Sequence, residues 1–164
     1  MKKVIYPIFS FILLLFINGC AGYEPIFGST NIQFKIADYS IGGNKVLGNK
    51  IYSKIYSLSK SKKNDQNLRS VNLIIKVSKN KNATAKDSAG KISEYKITLN
   101  TSVQVTDFLN KKQLLDETFV TSTTYKVQSQ YSETINLENK SIDSLLENTY
   151  RELLFKLTQN IITQ

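Results

Sequence analysis

The clearest pattern in the chain is a strict alternation between Ser93 and Thr106. Tyr95, Ile97, Leu99, Val103 and Val105 hold the odd positions, while Lys96, Thr98, Asn100, Ser102, Gln104 and Thr106 hold the even ones. A period of two with one apolar and one polar face predicts a long antiparallel strand, wet on one side. Leu68 to Ser78 repeats the pattern with Val71, Leu73, Ile75 and Val77, and Ile74 on the polar side marks this strand as central. Gln113 to Tyr125 returns as a partner through a turn at 107–112, with Leu115, Phe119 and Tyr125 on one face. Near the start, Ile32, Phe34 and Ile36 alternate over 31–39, and Ser40 to Asn44 with its two glycines reads as a turn.

Elsewhere the period is helical. Leu47, Ile51, Ile55 and Leu58 form one stripe from an N-cap at Asn44 to about Ser61, flanked by Tyr52 and Tyr56. Lys60, Lys62 and Lys63 follow, where cations suit the dipole. Ile142, Leu145, Leu146, Thr149, Leu153, Leu157 and Ile161 predict a C-terminal helix that opens after Tyr131. Asp143 and Glu147 lie one turn apart with like charge, so burial of the stripe rather than pairing is expected to stabilise it. The segment Lys79 to Lys91, rich in lysine and asparagine, reads as a long polar loop. Two-period strands and two amphipathic stripes in this order give an α+β, two-layer fold. A four-stranded mixed sheet (β-α-β-β-β-α) is covered on one face by two helices.

The first thirty residues obey different rules. Met1-Lys2-Lys3 is positive, Ile8 to Ile17 is apolar apart from Ser10, and Gly19 precedes the sole cysteine, Cys20. That layout matches a secretory signal of residues 1–19 rather than a membrane span, which needs about 20 apolar residues. The ending at Ile17-Asn18-Gly19-Cys20 resembles the bacterial lipoprotein cleavage site, which implies lipidation of Cys20. Residues 20–30 would be a lipidated leader and 31–164 a single α+β domain. Ala21, rather than an acidic residue, follows the cysteine, as in lipoproteins sorted to the outer membrane.

Charge and inventory narrow the chemistry. The formal charge is +9, and loss of Lys2 and Lys3 leaves +7, a balance suited to anionic partners. An exported chain does not meet nucleic acid, which leaves anionic lipids and acidic envelope surfaces. No histidine is present and the one cysteine is consumed by the anchor, so serine–histidine and cysteine catalysis and zinc sites are excluded. Ser-x-x-Lys patterns occur from Ser57, Ser59, Ser78, Ser88 and Ser93 without the companion motifs of a serine–lysine site. Asp116 and Glu117, as strand neighbours, point to opposite faces. The expectation is therefore a non-enzymatic protein without metal or cofactor. Arg69, Lys79, Lys81, Lys86 and Lys91, read as clustered around one hairpin, are the candidate ligands for phosphate groups, with Lys111 and Lys112 at the opposite turn.

The opening Cys20-Ala21-Gly22-Tyr23-Glu24-Pro25-Ile26-Phe27 is similar to the Cys-Gly-Phe-x-Pro-Leu-Tyr start of the lipopolysaccharide-assembly lipoprotein LptE family, with Ala21 inserted and Ile26-Phe27 in place of Leu-Tyr. The element order, and Tyr131-Ser132 ahead of the C-terminal helix, also resemble that family. The resemblance implies an outer-membrane lipoprotein that plugs the LptD barrel, assists its assembly and takes part in lipopolysaccharide transport. The alternative from the residues alone is a free-standing periplasmic lipoprotein that binds an anionic lipid or cell-wall fragment.

Overall fold

The computed structural model describes residues 34–60 and 68–162. Cys20, the strand positions 31–33 and the polar connection 61–67 lie outside the described residues. The elements are β1 (Phe34–Gly43), α1 (Lys45–Lys60), β2 (Arg69–Lys86), β3 (Ile92–Asp107), β4 (Gln113–Lys126) and α2 (Tyr131–Ile162). They form an α+β fold whose sheet order is β1-β2-β3-β4, with β1 parallel to β2 and the other neighbours antiparallel. A parallel pair needs a crossover, and α1 supplies it.

Both helices pack on the face formed by Val71, Leu73, Ile75 and Val77 of β2, Ile97, Leu99, Val103 and Val105 of β3, and Leu115 and Phe119 of β4, all buried. α1 contributes Leu47, Ile51 and Ile55, and α2 contributes Ile142, Leu145, Leu146, Leu153 and Leu157, which are the two stripes read from the sequence. The even positions look the other way. Asn100, Ser102 and Gln104 are half-buried among their neighbours, and Thr118, Ser122 and Thr124 are exposed. Among the described residues nothing packs on this side of the sheet.

Helix α1 starts as its sequence dictates. The Leu47 N–H donates to Asn44 Oδ1 at 3.1 Å, satisfying one of the orphan donors of the first turn. Two glycines let the helix sit close. Gly43 takes φ 70°, and a Cβ there would meet the Val77 carbonyl. A Cβ on Gly48 would fall 2.5 Å from Ile41 Cγ2. β1 does not end before Ser40, as its turn-like composition suggested. A bulge between Ile36 and Asp38 resets the register, and the strand continues to Gly43 opposite Val77.

The larger departure is at 79–91. No long loop exists there: β2 continues unbroken through Lys79 to Lys86, paired with β3 from Leu99 back to Ile92, and only Asp87 to Lys91 turns the chain. Lysine and asparagine have weak strand preference, but a partner strand with Ile97 and Tyr95 in register supplies the cross-strand contacts that decide the matter. The Asp87 carboxylate closes the turn by accepting from the N–H groups of Ala89 and Lys91.

The two helices run in the same direction, and this changes the reading of Asp143 and Glu147. Lys50 Nζ meets Asp143 Oδ1 at 2.8 Å, and Lys54 meets Glu147 one turn on. The like-charged pair on α2 is matched by a like-charged pair on α1. Stripe burial still dominates, because these are exposed pairs worth well under 1 kcal/mol each.

Candidate functional site

The site is built where the extended half of the hairpin passes under the start of α2. Pleating sends Lys79 and Lys81 to the same face as Val77, toward the helix layer. Opposite them stands Glu138 of α2, with a side chain only 12% exposed. Its carboxylate accepts from Lys81 Nζ at 2.5 Å, Lys79 Nζ at 3.3 Å and the Tyr125 hydroxyl at 2.8 Å. Lys81 Nζ also lies 4.3 Å over the Tyr95 ring and 5.5 Å from that of Tyr125, and the two rings stack at 5.8 Å. One carboxylate and two aromatic faces thus hold the ammonium in place.

The electrostatics follow. Burial pushes the Glu138 carboxyl up, but the hydrogen bonds from Lys81 and Tyr125 outweigh it, so the net shift is below the ordinary value. For Lys81 burial acts downward, and Glu138 and Tyr125 reverse it to leave the ammonium more basic than usual. Burial raises the Tyr125 phenol. The directions of these shifts favour the carboxylate and the ammonium together, as an ion pair.

Beside this cluster opens a cavity of about 430 Å³, lined by Lys81, Lys91, Ile92, Tyr95, Val127, Ile135 and, at the entry to α2, Gln128, Ser129, Tyr131 and Thr134. It joins an apolar wall to two ammonium groups. Among the described residues, no group of three acidic, cysteine or histidine side chains is placed to hold a metal ion.

The five basic residues read from the sequence therefore separate. Lys79 and Lys81 are neutralised by Glu138, Lys91 lines the cavity, and Lys86 sits at the end of β2 outside that lining. Arg69 does not belong to this group. It begins β2, about 55 Å of strand away from Lys86 at 3.3 Å per residue, and its Nε pairs with Asp107 Oδ2 at 3.3 Å beside the β3–β4 turn. Arg69 opens the strand whose other end leads into the hairpin, so the eighteen residues of β2 hold it apart from Lys86. Spacing along the sequence does not mark Glu138, Tyr95 and Tyr125 as a site. The signal for them exists only once β2 is carried on past Ser78, which places Lys79 and Lys81 on the helix side.

The fold is shared with solved bacterial structures. At TM-score 0.54 and 11% identity it matches the uncharacterized lipoprotein B from Nitrosomonas europaea, covering 81% of this chain and 88% of that one. A chain from Caulobacter crescentus CB15 provisionally described as a lipoprotein matches at TM-score 0.52 and 12% identity, over 76% and 88% of the two chains. A minor lipoprotein from Acinetobacter baumannii matches at 0.50 and 12% identity, over 77% and 94%. At these identities the likeness is one of fold. No protein-family model matches the chain, and no curated protein matches it.

Proposed function

We propose that this protein is a lipoprotein of the outer membrane, acylated at Cys20, that plugs and assists assembly of an LptD-type barrel and takes part in lipopolysaccharide transport. The observation that carries this reading is the bare sheet face. β2 and β3 run for eighteen and sixteen residues, and the side of the sheet away from the helices is mostly serine, threonine, asparagine and glutamine, with Lys76, Lys96, Asp116, Ile74 and Val120 among them. Such a face suits the polar lumen of an outer-membrane barrel. Further support comes from the Cys20 opening, the lack of catalytic inventory and the fold shared with bacterial lipoproteins. The hairpin lysines serve the ligand role unequally: Lys86 and Lys91 are available to lipopolysaccharide phosphates, whereas Lys79 and Lys81 are engaged by Glu138. Affinity purification of the full-length protein from detergent-solubilised outer membranes tests the partner. A stoichiometric barrel of LptD type is expected, and recovery of the protein alone would defeat the proposal.

A second reading is favoured by the cavity of about 430 Å³, whose lining joins Lys91 to Ile92, Val127 and Ile135. That combination suits an anionic amphiphile carried by a free-standing lipoprotein. Under that reading the protein purifies without a barrel and retains bound lipid.

A further inference from the structure

The end of the sheet opposite the hairpin exposes a different combination of side chains. In the β3–β4 turn Leu109 is 84% exposed and Phe108 41% exposed, and Lys111 and Lys112 follow after Asn110. A surface normally leaves large apolar residues scattered singly, so two adjacent ones on a projecting turn call for an apolar neighbour. The turn is also built to hold them there. Asp107, nearly buried, accepts from the N–H groups of Leu109 (2.9 Å) and Asn110 (3.2 Å) and pairs with Arg69. The Phe108 N–H donates to the Ser70 carbonyl at 2.8 Å, and the Lys112 N–H to Asn110 Oδ1 at 2.9 Å. Lys111 adopts φ 59°, the left-handed region that side chains disfavour, and its ammonium stands 4.6 Å over the Phe108 ring.

We propose that this turn is a second membrane contact. Phe108 and Leu109 seat among the acyl chains at the surface of an anionic phospholipid bilayer, and Lys111 and Lys112 meet the headgroup phosphates. Apolar tips with adjacent lysines are the combination that binds such an interface, the apolar part by burial and the cations by surface potential. Position in the fold selects a lipid surface as the occupant. Phe34, where β1 begins, lies in register with Arg69, and Arg69 holds Asp107, so the turn stands at the end of the sheet where the N-terminal segment enters. From Cys20 to Phe34 the chain spans at most about 50 Å even fully extended. An acyl anchor at Cys20 therefore keeps this end within reach of the bilayer. The proposal needs the lipid anchor of the preceding reading but not its barrel partner.

The sequence contains no tryptophan, so Leu109→Trp creates a single fluorescent reporter. The full-length lipidated variant is reconstituted into phosphatidylcholine–phosphatidylglycerol vesicles with brominated acyl chains, beside a Val120→Trp reporter on the bare sheet face. The expected result is blue-shifted, strongly quenched emission for Leu109→Trp and neither change for Val120→Trp. Adding Lys111→Gln and Lys112→Gln should remove roughly half or more of the quenching, because each lysine strengthens surface binding about fivefold. If Leu109→Trp alters the circular dichroism spectrum, Phe108→Trp takes its place. Leu109→Trp emission no more quenched than that of Val120→Trp overturns the proposal. So does a shift that requires co-purified envelope proteins and is absent from protein-only vesicles, which would assign the turn to a protein contact.

Discussion

The two halves of β2 are one strand held by two different forces. From Val71 to Val77 the helix-facing side chains are aliphatic and buried in the core beneath the helix layer. Beyond Ser78 the same face presents Lys79 and Lys81, and what joins them to α2 is Glu138, Tyr125 and Tyr95. The first half is anchored by desolvation, which is non-directional and tolerant of detail. The second depends on one carboxylate in one position. A sheet can thus be prolonged past the reach of its hydrophobic core, at the cost of resting on few interactions.

The comparison can be broken most severely in the first half. Ile75→Ala empties a fully buried site and should cost about 3 kcal/mol in urea unfolding, with the whole cooperative transition displaced. Glu138→Ala attacks the second half. It leaves two ammonium groups and a phenol without their acceptor and should cost about 2 kcal/mol. Hydrogen exchange should accelerate at 79–86 and 92–97 while Val71 to Val77 stay protected. Equal acceleration in both halves would show that the two are not separate in stability.

Acid sharpens the same contrast. Burial pushes the Glu138 carboxyl up, but its lysine and tyrosine partners hold it below the ordinary glutamate value, so its contribution is present above that ordinary value and fades as pH falls through the folded one. The stability gap between the native protein and Glu138→Gln should therefore narrow as pH drops from 5 toward 3, measured by urea titration at each pH. A gap constant over that range would remove the charge from the account. The smallest expected effect is a gain. Thr101 of β3 is fully buried opposite Val77, and its hydroxyl has no partner among the described residues. Thr101→Val keeps the shape and should stabilise by about 1 kcal/mol in the same unfolding assay.

The first half was legible in the sequence and the second was not, for reasons seen in particular residues. Val71, Leu73, Ile75 and Val77 announce a strand by alternation, and Leu47, Ile51 and Ile55 announce a helix by spacing, because each pattern carries its own burial. Lys79-Asn80-Lys81-Asn82 carries no such signal. It is a strand because β3 is long enough to pair with it, a fact about Tyr95 and Ile97 rather than about the lysines. The same blindness to partners hid the match between Lys50 and Lys54 on one helix and Asp143 and Glu147 on the other. It also placed Arg69 with the hairpin instead of with Asp107. The hydrophobic layer is local information, and the polar contacts that complete it are tertiary.

The bare sheet face carries the functional claim, and a photo-crosslinking amino acid at Ser102, near its centre, tests it in intact envelopes. The account predicts a covalent adduct with a large outer-membrane β-barrel. A membrane-bound protein that forms no adduct at Ser102 would contradict it.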